Sequence, residues 1–301
     1  MKKIVIGKND SGQRIDKFLT KYLKRLPNSL MYKYIRKERV KVNNKKCDIS
    51  YILKERDILN LYINDEFFPE NTPDLDFLSA PSKLNVVYED RNILIVDKKP
   101  GLIVHPDRNV EIDCLINRIK HYLYAKREYN PHESNTFSPA LANRIDHNTG
   151  GIVIAAKNAE SLRILNDKIK NKEIKKYYLC KVQGIMNKKS DTLISYLLKD
   201  PDLNKVKISS SKKDGYKQII TKYTVKSHSD NESLLEIDLV TGKAHQIRAH
   251  MSFIGHPILG DRKYGLKVYN KQKNYPYQAL YSYKIHFDFS RLGTPLDYLN
   301  G

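Results

Sequence analysis

The segment Asn143-Arg144-Ile145-Asp146-His147-Asn148-Thr149-Gly150-Gly151 puts one carboxylate, Asp146, in a polar turn beside an arginine, directly ahead of the apolar run 152–156. A turn rich in Gly and Asn that leads into a buried strand can present a reactive group. A lone carboxylate there can serve as a nucleophile or as a general base. The second carboxylate that a glycoside hydrolase ordinarily needs is not evident. Taken alone, the triplet reads more readily as a solvated Arg–Asp pair of little energetic weight.

Metal chemistry finds no support. Cys47, Cys114 and Cys180 are odd in number and far apart, with no C-x-x-C pair, as expected of reduced thiols. His245 and His250 stand at i, i+5, which does not align them on one helix face. No phosphate-cradling glycine loop is visible either, so neither a metal nor a cofactor is expected.

The elements that must position Asp146 belong to a chain of 301 residues with 40% hydrophobic composition, enough for two domains. A net charge of +20 and a pI near 9.6 point to nucleic acid or an anionic membrane surface as partner. No segment approaches the roughly 20 apolar residues needed to span a bilayer, and the first residues lack a signal-peptide core. A cytoplasmic, monomeric protein that binds nucleic acid and no membrane is the expectation.

The charge is uneven: residues 1–63 hold 17 Lys or Arg against 6 Asp or Glu, a net of +11. Ile15, Phe18, Leu19, Tyr22 and Leu23 mark an amphipathic helix. A second helix is predicted after Pro27, with Ser29 as N-cap and Met31, Tyr34 and Ile35 inward. A basic strand and turn over 36–46 and a strand with Leu59, Leu61 and Ile63 alternating close the unit. Residues 64–82 carry Asp65, Glu66, Glu70, Asp74 and Asp76 with Pro69, Pro73 and Pro81 and no basic residue, which reads as an acidic, extended linker. From 83 to 301 strands are predicted at 93–96, 102–104, 152–156, 177–182, 219–225 and 234–240. Helices are expected at 159–170 and after the Gly242 turn. Runs of strands with occasional helices predict an α+β domain on a mainly antiparallel sheet.

Gly12-x-Arg14-Ile15-Asp16-x-Phe18-Leu19, Ile35-x-x-x-Arg39-Val40-x-Val42-Asn43 and Asp57-Ile58 resemble the S4 RNA-binding domain over residues 1–63, with Glu38 where that family usually has glycine. Four further segments, in order, resemble the RluA-type pseudouridine synthases: 87–106 with Asp97-Lys98-Lys99-Pro100-Gly101 and His105-Pro106; the Arg144-Ile145-Asp146 turn with Thr149 and Gly151; Lys175-Lys176-Tyr177-Tyr178-Leu179; and Thr241-Gly242-Lys243-Ala244-His245-Gln246-Ile247-Arg248-Ala249-His250, continuing to Gly260-Asp261 and Tyr264-Gly265. Asn143, Gly150, Lys243 and Ala244 depart from the usual residues.

The resemblance implies a small S4-like domain followed by a pseudouridine synthase domain on a mainly antiparallel mixed sheet. It also implies an isomerase that detaches uracil from ribose at N1 and reattaches it through C5, on ribosomal RNA of the large subunit. It assigns the essential carboxylate to Asp146, acting as nucleophile or base. A carboxylate enclosed with substrate must stay ionised, which burial opposes, and the resemblance gives the balancing cation to Arg248. Tyr178 matches a tyrosine able to stack on the displaced uracil. Arg144 either fills the gap left by the flipped uridine or shapes the loop through a salt bridge. Lys98, Lys99, His105 and Lys243 are expected as solvated residues along the RNA path. Two alternatives stay open: a tRNA-directed synthase, and a non-catalytic RNA-binding or ribosome-assembly factor.

Overall fold

A computed structural model of the chain describes residues 1–69, 75–107, 110–200, 205–266 and 275–301. The N-terminal unit runs β1 (Lys2–Val5), α1 (Ile15–Tyr22), α2 (Asn28–Arg36), β2 (Val40–Val42), β3 (Lys45–Lys46) and β4 (Ile58–Leu61), with sheet order β1-β4-β2-β3. Its core gathers Ile15, Phe18 and Leu19 of α1, Met31, Tyr34 and Ile35 of α2, and Leu59 and Leu61 of β4, the residues their spacing selects. Ser29 does not cap α2; Pro27 takes the N-cap position, where its missing N–H leaves no donor unpaired. Glu38 adopts φ +56, so the glycine-type turn survives with a non-glycine residue in the left-handed region.

The segment 64–82 is less extended than its composition suggests. A 3-10 turn spans Asp65–Phe67, and Phe68 is buried against the N-terminal core. A second spans Asp76–Ser79. Its Phe77 meets the rings of Tyr124 and Tyr129 at 5.9 Å each. The linker is thus stapled at both ends by aromatic burial; Glu70, Pro73 and Asp74 lie outside the described residues.

The larger unit contains β5 (Val86–Glu89), β6 (Ile93–Lys98), α3 (Leu115–Ala125), β7 (Ala140–Leu141), β8 (Gly150–Ala156), α4 (Ala159–Lys170), β9 (Ile174–Gln183), β10 (Ser190–Asp200), β11 (Lys205–Ser209), β12 (Lys217–Ser229), β13 (Glu232–Asp238), α5 (Gln246–Phe253) and β14 (Leu280–Phe287). They form one ten-stranded sheet, β11-β10-β12-β13-β9-β14-β8-β6-β5, with β7 paired to β8. Among the described residues only β14 and β8 run parallel, over Tyr281–Gly150 and Ser282–Gly151. The α+β class with a mainly antiparallel mixed sheet is therefore what the chain forms. Residues 102–104 are not a strand. Lys98 Nζ donates to the Leu102 carbonyl, and the carbonyls of Ile103 and Val104 accept from Leu115 and Ile116 N–H at the head of α3, so this backbone has no ladder to join.

The two units are bolted together. Asp10, 2% exposed, accepts from Asn135 Nδ2, Thr136 N and Thr136 Oγ1, at 2.8, 3.2 and 2.7 Å. Asn9 Oδ1 accepts from Ala159 N, at the start of α4.

Candidate active site

Asp146 lies at the tip of the β7–β8 hairpin, where β8 changes partners. Its far end pairs with β7 and its first two residues with β14, so the turn between them is free of the ladder and projects from the sheet. Asn143 starts this turn: its Oδ1 accepts from Ile154 N at 2.8 Å and its Nδ2 donates to Ile152 O at 3.4 Å, imitating a strand partner. Thr149 N donates to Asp146 O, and Thr149 Oγ1 accepts from Gln278. Gly151 closes the turn at φ +113, with the Ser282 carbonyl 2.2 Å from where a Cβ would be, so no side chain fits there.

Arg248, on α5, meets Asp146 through Nη1 at 2.7 Å. Its other edge is held by Asp261, which accepts from Nε at 2.7 Å and from Nη2 at 2.9 Å. Asp261 is fully buried and also accepts from Lys263 N and Tyr264 N. Burial opposes the guanidinium charge, but the bonds and charges of Asp261 and then Asp146 outweigh it, and the net shift is upward. Arg248 is therefore a fixed cation in direct contact with the Asp146 carboxylate.

Tyr178 of β9 is buried and faces inward, while Tyr177 turns the other way under Lys284, 4.2 Å from its ring centre, as strand alternation requires. Burial pushes the Tyr178 hydroxyl up to about 12, with the negative charge of Asp146 adding and a bond with Ser282 opposing. It is a neutral O–H at neutral pH. The structure thus brings Asp146, Arg248 and Tyr178 to one place. Arg144 stands apart: it is exposed, and among the described residues no ion pair or hydrogen bond ties it to the loop.

Lys98 corrects a second expectation. It is 1% exposed, not solvated, and its Nζ donates to the carbonyls of Lys99, Leu102 and His147 at 3.0, 2.7 and 2.9 Å. Burial lowers its pKa to about 8, against the pull of Asp146 and Asp97. It ties the 99–102 turn to the Asp146 turn, as does His147 Nε2 against Gly101 O at 2.7 Å. Lys99, His105 and Lys243 are exposed as expected.

Three residues received no role from sequence. Asp261 lies inside a recognised motif, but nothing in its spacing reveals that it grips Arg248. Tyr264 Oη accepts from Val206 N and bonds His245 Nδ1, both at 2.9 Å, and its ring lies 5.3 Å from the Arg248 guanidinium carbon. His245 heads α5 at φ +53, a left-handed conformation that a packed site must impose.

The family model described as RNA pseudouridylate synthase matches residues 92–253, more than half of the chain and every residue of the β7–β8 turn. The chain belongs to this family. It is accordingly an RNA pseudouridine synthase, an isomerase, and its N-terminal residues 13–59 match the S4 domain. It is 36% identical to an uncharacterized RNA pseudouridine synthase of Mycoplasma capricolum, over 100% of this chain and 95% of that protein. It is 33% identical to the ribosomal large subunit pseudouridine synthase C of Buchnera aphidicola, over 87% of this chain and 80% of the other. Among solved structures, human RNA pseudouridylate synthase domain containing 1 superposes with a TM-score of 0.56 at 19% identity, covering 76% of this chain and 87% of that one, which supports the fold.

Proposed function

We propose that this synthase converts specific uridines of large-subunit ribosomal RNA to pseudouridine, with Asp146 as the essential carboxylate. The observation that carries this reading is the single Asp146–Arg248 contact. One carboxylate, 27% exposed, is held to a guanidinium whose other edge is occupied by Asp261. That suffices for an isomerisation. The N1–C1′ bond breaks, the detached uracil turns, C5 bonds to C1′, and the proton lost from C5 is balanced by one gained at N1. Asp146 either takes C1′ as a nucleophile or removes a ribose proton, and Arg248 stabilises its charge at both ends of the step. Tyr178, neutral and buried, stacks on the loosened base and offers a hydroxyl to it.

Arg144, exposed two residues before Asp146, is suited to the gap left by a uridine turned out of its stack. The S4 unit supplies the sequence-independent grip, since residues 1–63 hold +11 of the +20 net charge. The ribosomal target rests on relatives named as large-subunit enzymes. A pseudouridine map of total RNA from cells with and without the protein tests the reading. Loss of one or a few sites in large-subunit RNA is expected; loss only in tRNA, or no loss, overturns the target or the activity.

A further inference from the structure

We propose that Tyr277 and Tyr281 form a stacking platform for the unpaired base that neighbours the target uridine. The inference rests on the RNA-modifying reading of the Asp146 site and extends it from the reacting nucleotide to the one beside it.

Each ring rests on a glycine, and each glycine belongs to one of the two turns that Lys98 and His147 tie together at Asp146. A Cβ on Gly150 would lie 2.7 Å from Cε2 and 2.8 Å from Cδ2 of Tyr281, and 3.1 Å from Pro100 Cδ. A Cβ on Gly101 would lie 2.7 Å from the Tyr277 hydroxyl oxygen and 3.0 Å from its Cζ. Real Cβ atoms do not approach so closely, so even a serine at either position would displace a ring. The two glycines let one edge of the Tyr281 ring and the hydroxyl end of Tyr277 come up against the paired turns.

A purely structural cover would be buried, yet Tyr281 is 37% and Tyr277 42% exposed. Exposed rings beside the turn that carries Asp146 offer a surface on which a base can stack. Tyr281 is also held: its hydroxyl bonds Asp97 on β6, and its backbone pairs with Gly150 in the parallel ladder. A ring immobilised in advance loses little freedom when a base stacks on it.

Charge decides the occupant. Lys99, exposed, precedes Pro100, and exposed Arg262 reaches the carbonyl of Pro276, next to Tyr277, at 3.5 Å. Aromatic faces flanked by cations are what single-stranded nucleic acid requires, with rings for the bases and charges for the phosphates. Continuity with the Asp146 turn makes the base next to the target the one within reach.

The test uses the full chain and three 11-nucleotide RNAs with a central uridine: one with 2-aminopurine on both sides, and two in which either the 5′ or the 3′ neighbour is abasic. Wild type should quench the 2-aminopurine and bind one abasic oligomer roughly 5- to 100-fold more weakly. Tyr277→Leu and Tyr281→Leu should lose that discrimination, whereas Tyr281→Phe, which keeps the ring and drops the Asp97 bond, should retain it. Equal affinity of wild type for all three oligomers, with no quenching, overturns the platform while leaving the RNA site intact. Binding of none of them overturns both. Leu variants that unfold at the wild-type midpoint yet still discriminate would also overturn it, and the wild-type comparison stands even if a variant fails to fold.

Discussion

Arg248 and Asp261 are joined by two parallel hydrogen bonds, at 2.7 and 2.9 Å, in a pocket where Asp261 is wholly inaccessible to water. This fork uses Nε and Nη2 and leaves Nη1 for Asp146 alone. Asp261→Asn removes the charge that balances a buried guanidinium. Breaking a buried pair in this way typically costs about 3–5 kcal/mol, so a lower urea midpoint should accompany a severe loss of turnover. Wild-type stability in the variant would show that Arg248 is held by other means.

Asp146→Asn keeps the shape of the side chain and removes its charge. Turnover should fall by several orders of magnitude while RNA affinity stays within a few-fold, as single-turnover assays and filter binding would show. Near-wild-type activity would remove Asp146 from the chemistry.

Activity should persist in EDTA without any added cofactor, because a carboxylate and an intramolecular transfer need neither. Activity lost on chelation and restored by a divalent ion, under conditions where the RNA stays folded, would contradict this.

His250 predicts an acid limb. It is buried, with Nδ1 against Thr221 Oγ1 at 3.0 Å and Nε2 against Ser195 Oγ at 3.2 Å, and burial lowers its pKa to about 4. Between about pH 6.5 and 4 the unfolded chain binds a proton that the folded chain refuses. Stability should therefore fall as pH falls through that window, by up to about 3 kcal/mol from this group. Urea unfolding at pH 7 and pH 4.5 should show a smaller difference for His250→Gln than for wild type.

Removing residues 1–69, a cut that takes Phe68 with its core, should flatten the salt dependence of RNA binding more than it harms chemistry. The logarithm of affinity falls by roughly 0.7 to 0.9 per phosphate neutralised for each tenfold rise in salt. An unchanged slope would mean that the S4 unit is not the RNA anchor. Asp10→Ala in the full chain should instead loosen the two units by about 1–3 kcal/mol, since it strips three donors at 135 and 136 of their acceptor.

Legibility in the sequence followed the range of the forces involved. The helix at 159–170 is read at its observed bounds because Leu162, Leu165 and Ile169 give a local period and Asn158 caps it, accepting from Ser161 N. The stripe Ile116, Ile119 and Leu123 repeats that spacing in α3, but Cys114 stands at its N-cap and makes no side-chain capping bond, so no start signal marked the helix. The strand expected at 102–104 failed because β propensity cannot register that a lysine and a helix N-terminus claim its carbonyls. Lys98 was misplaced for a related reason: lysine is almost never fully buried, and three carbonyls from two turns, the farthest 49 residues along the chain from Lys98, make the exception. Asp146, Arg248 and Tyr178 were found through motif resemblance, whereas Asp261's grip on Arg248 is a tertiary fact.

The place of β14 bears on how the enzyme is made. It comes later in the chain than every other described strand, yet it fills the slot between β9 and β8 and gives Gly150 and Gly151 their partners. During synthesis the two halves of the sheet wait with open edges until it is translated. The Asp146 turn gains its flank only then, so a nascent chain can already hold RNA through its S4 unit while its reactive end is still unassembled.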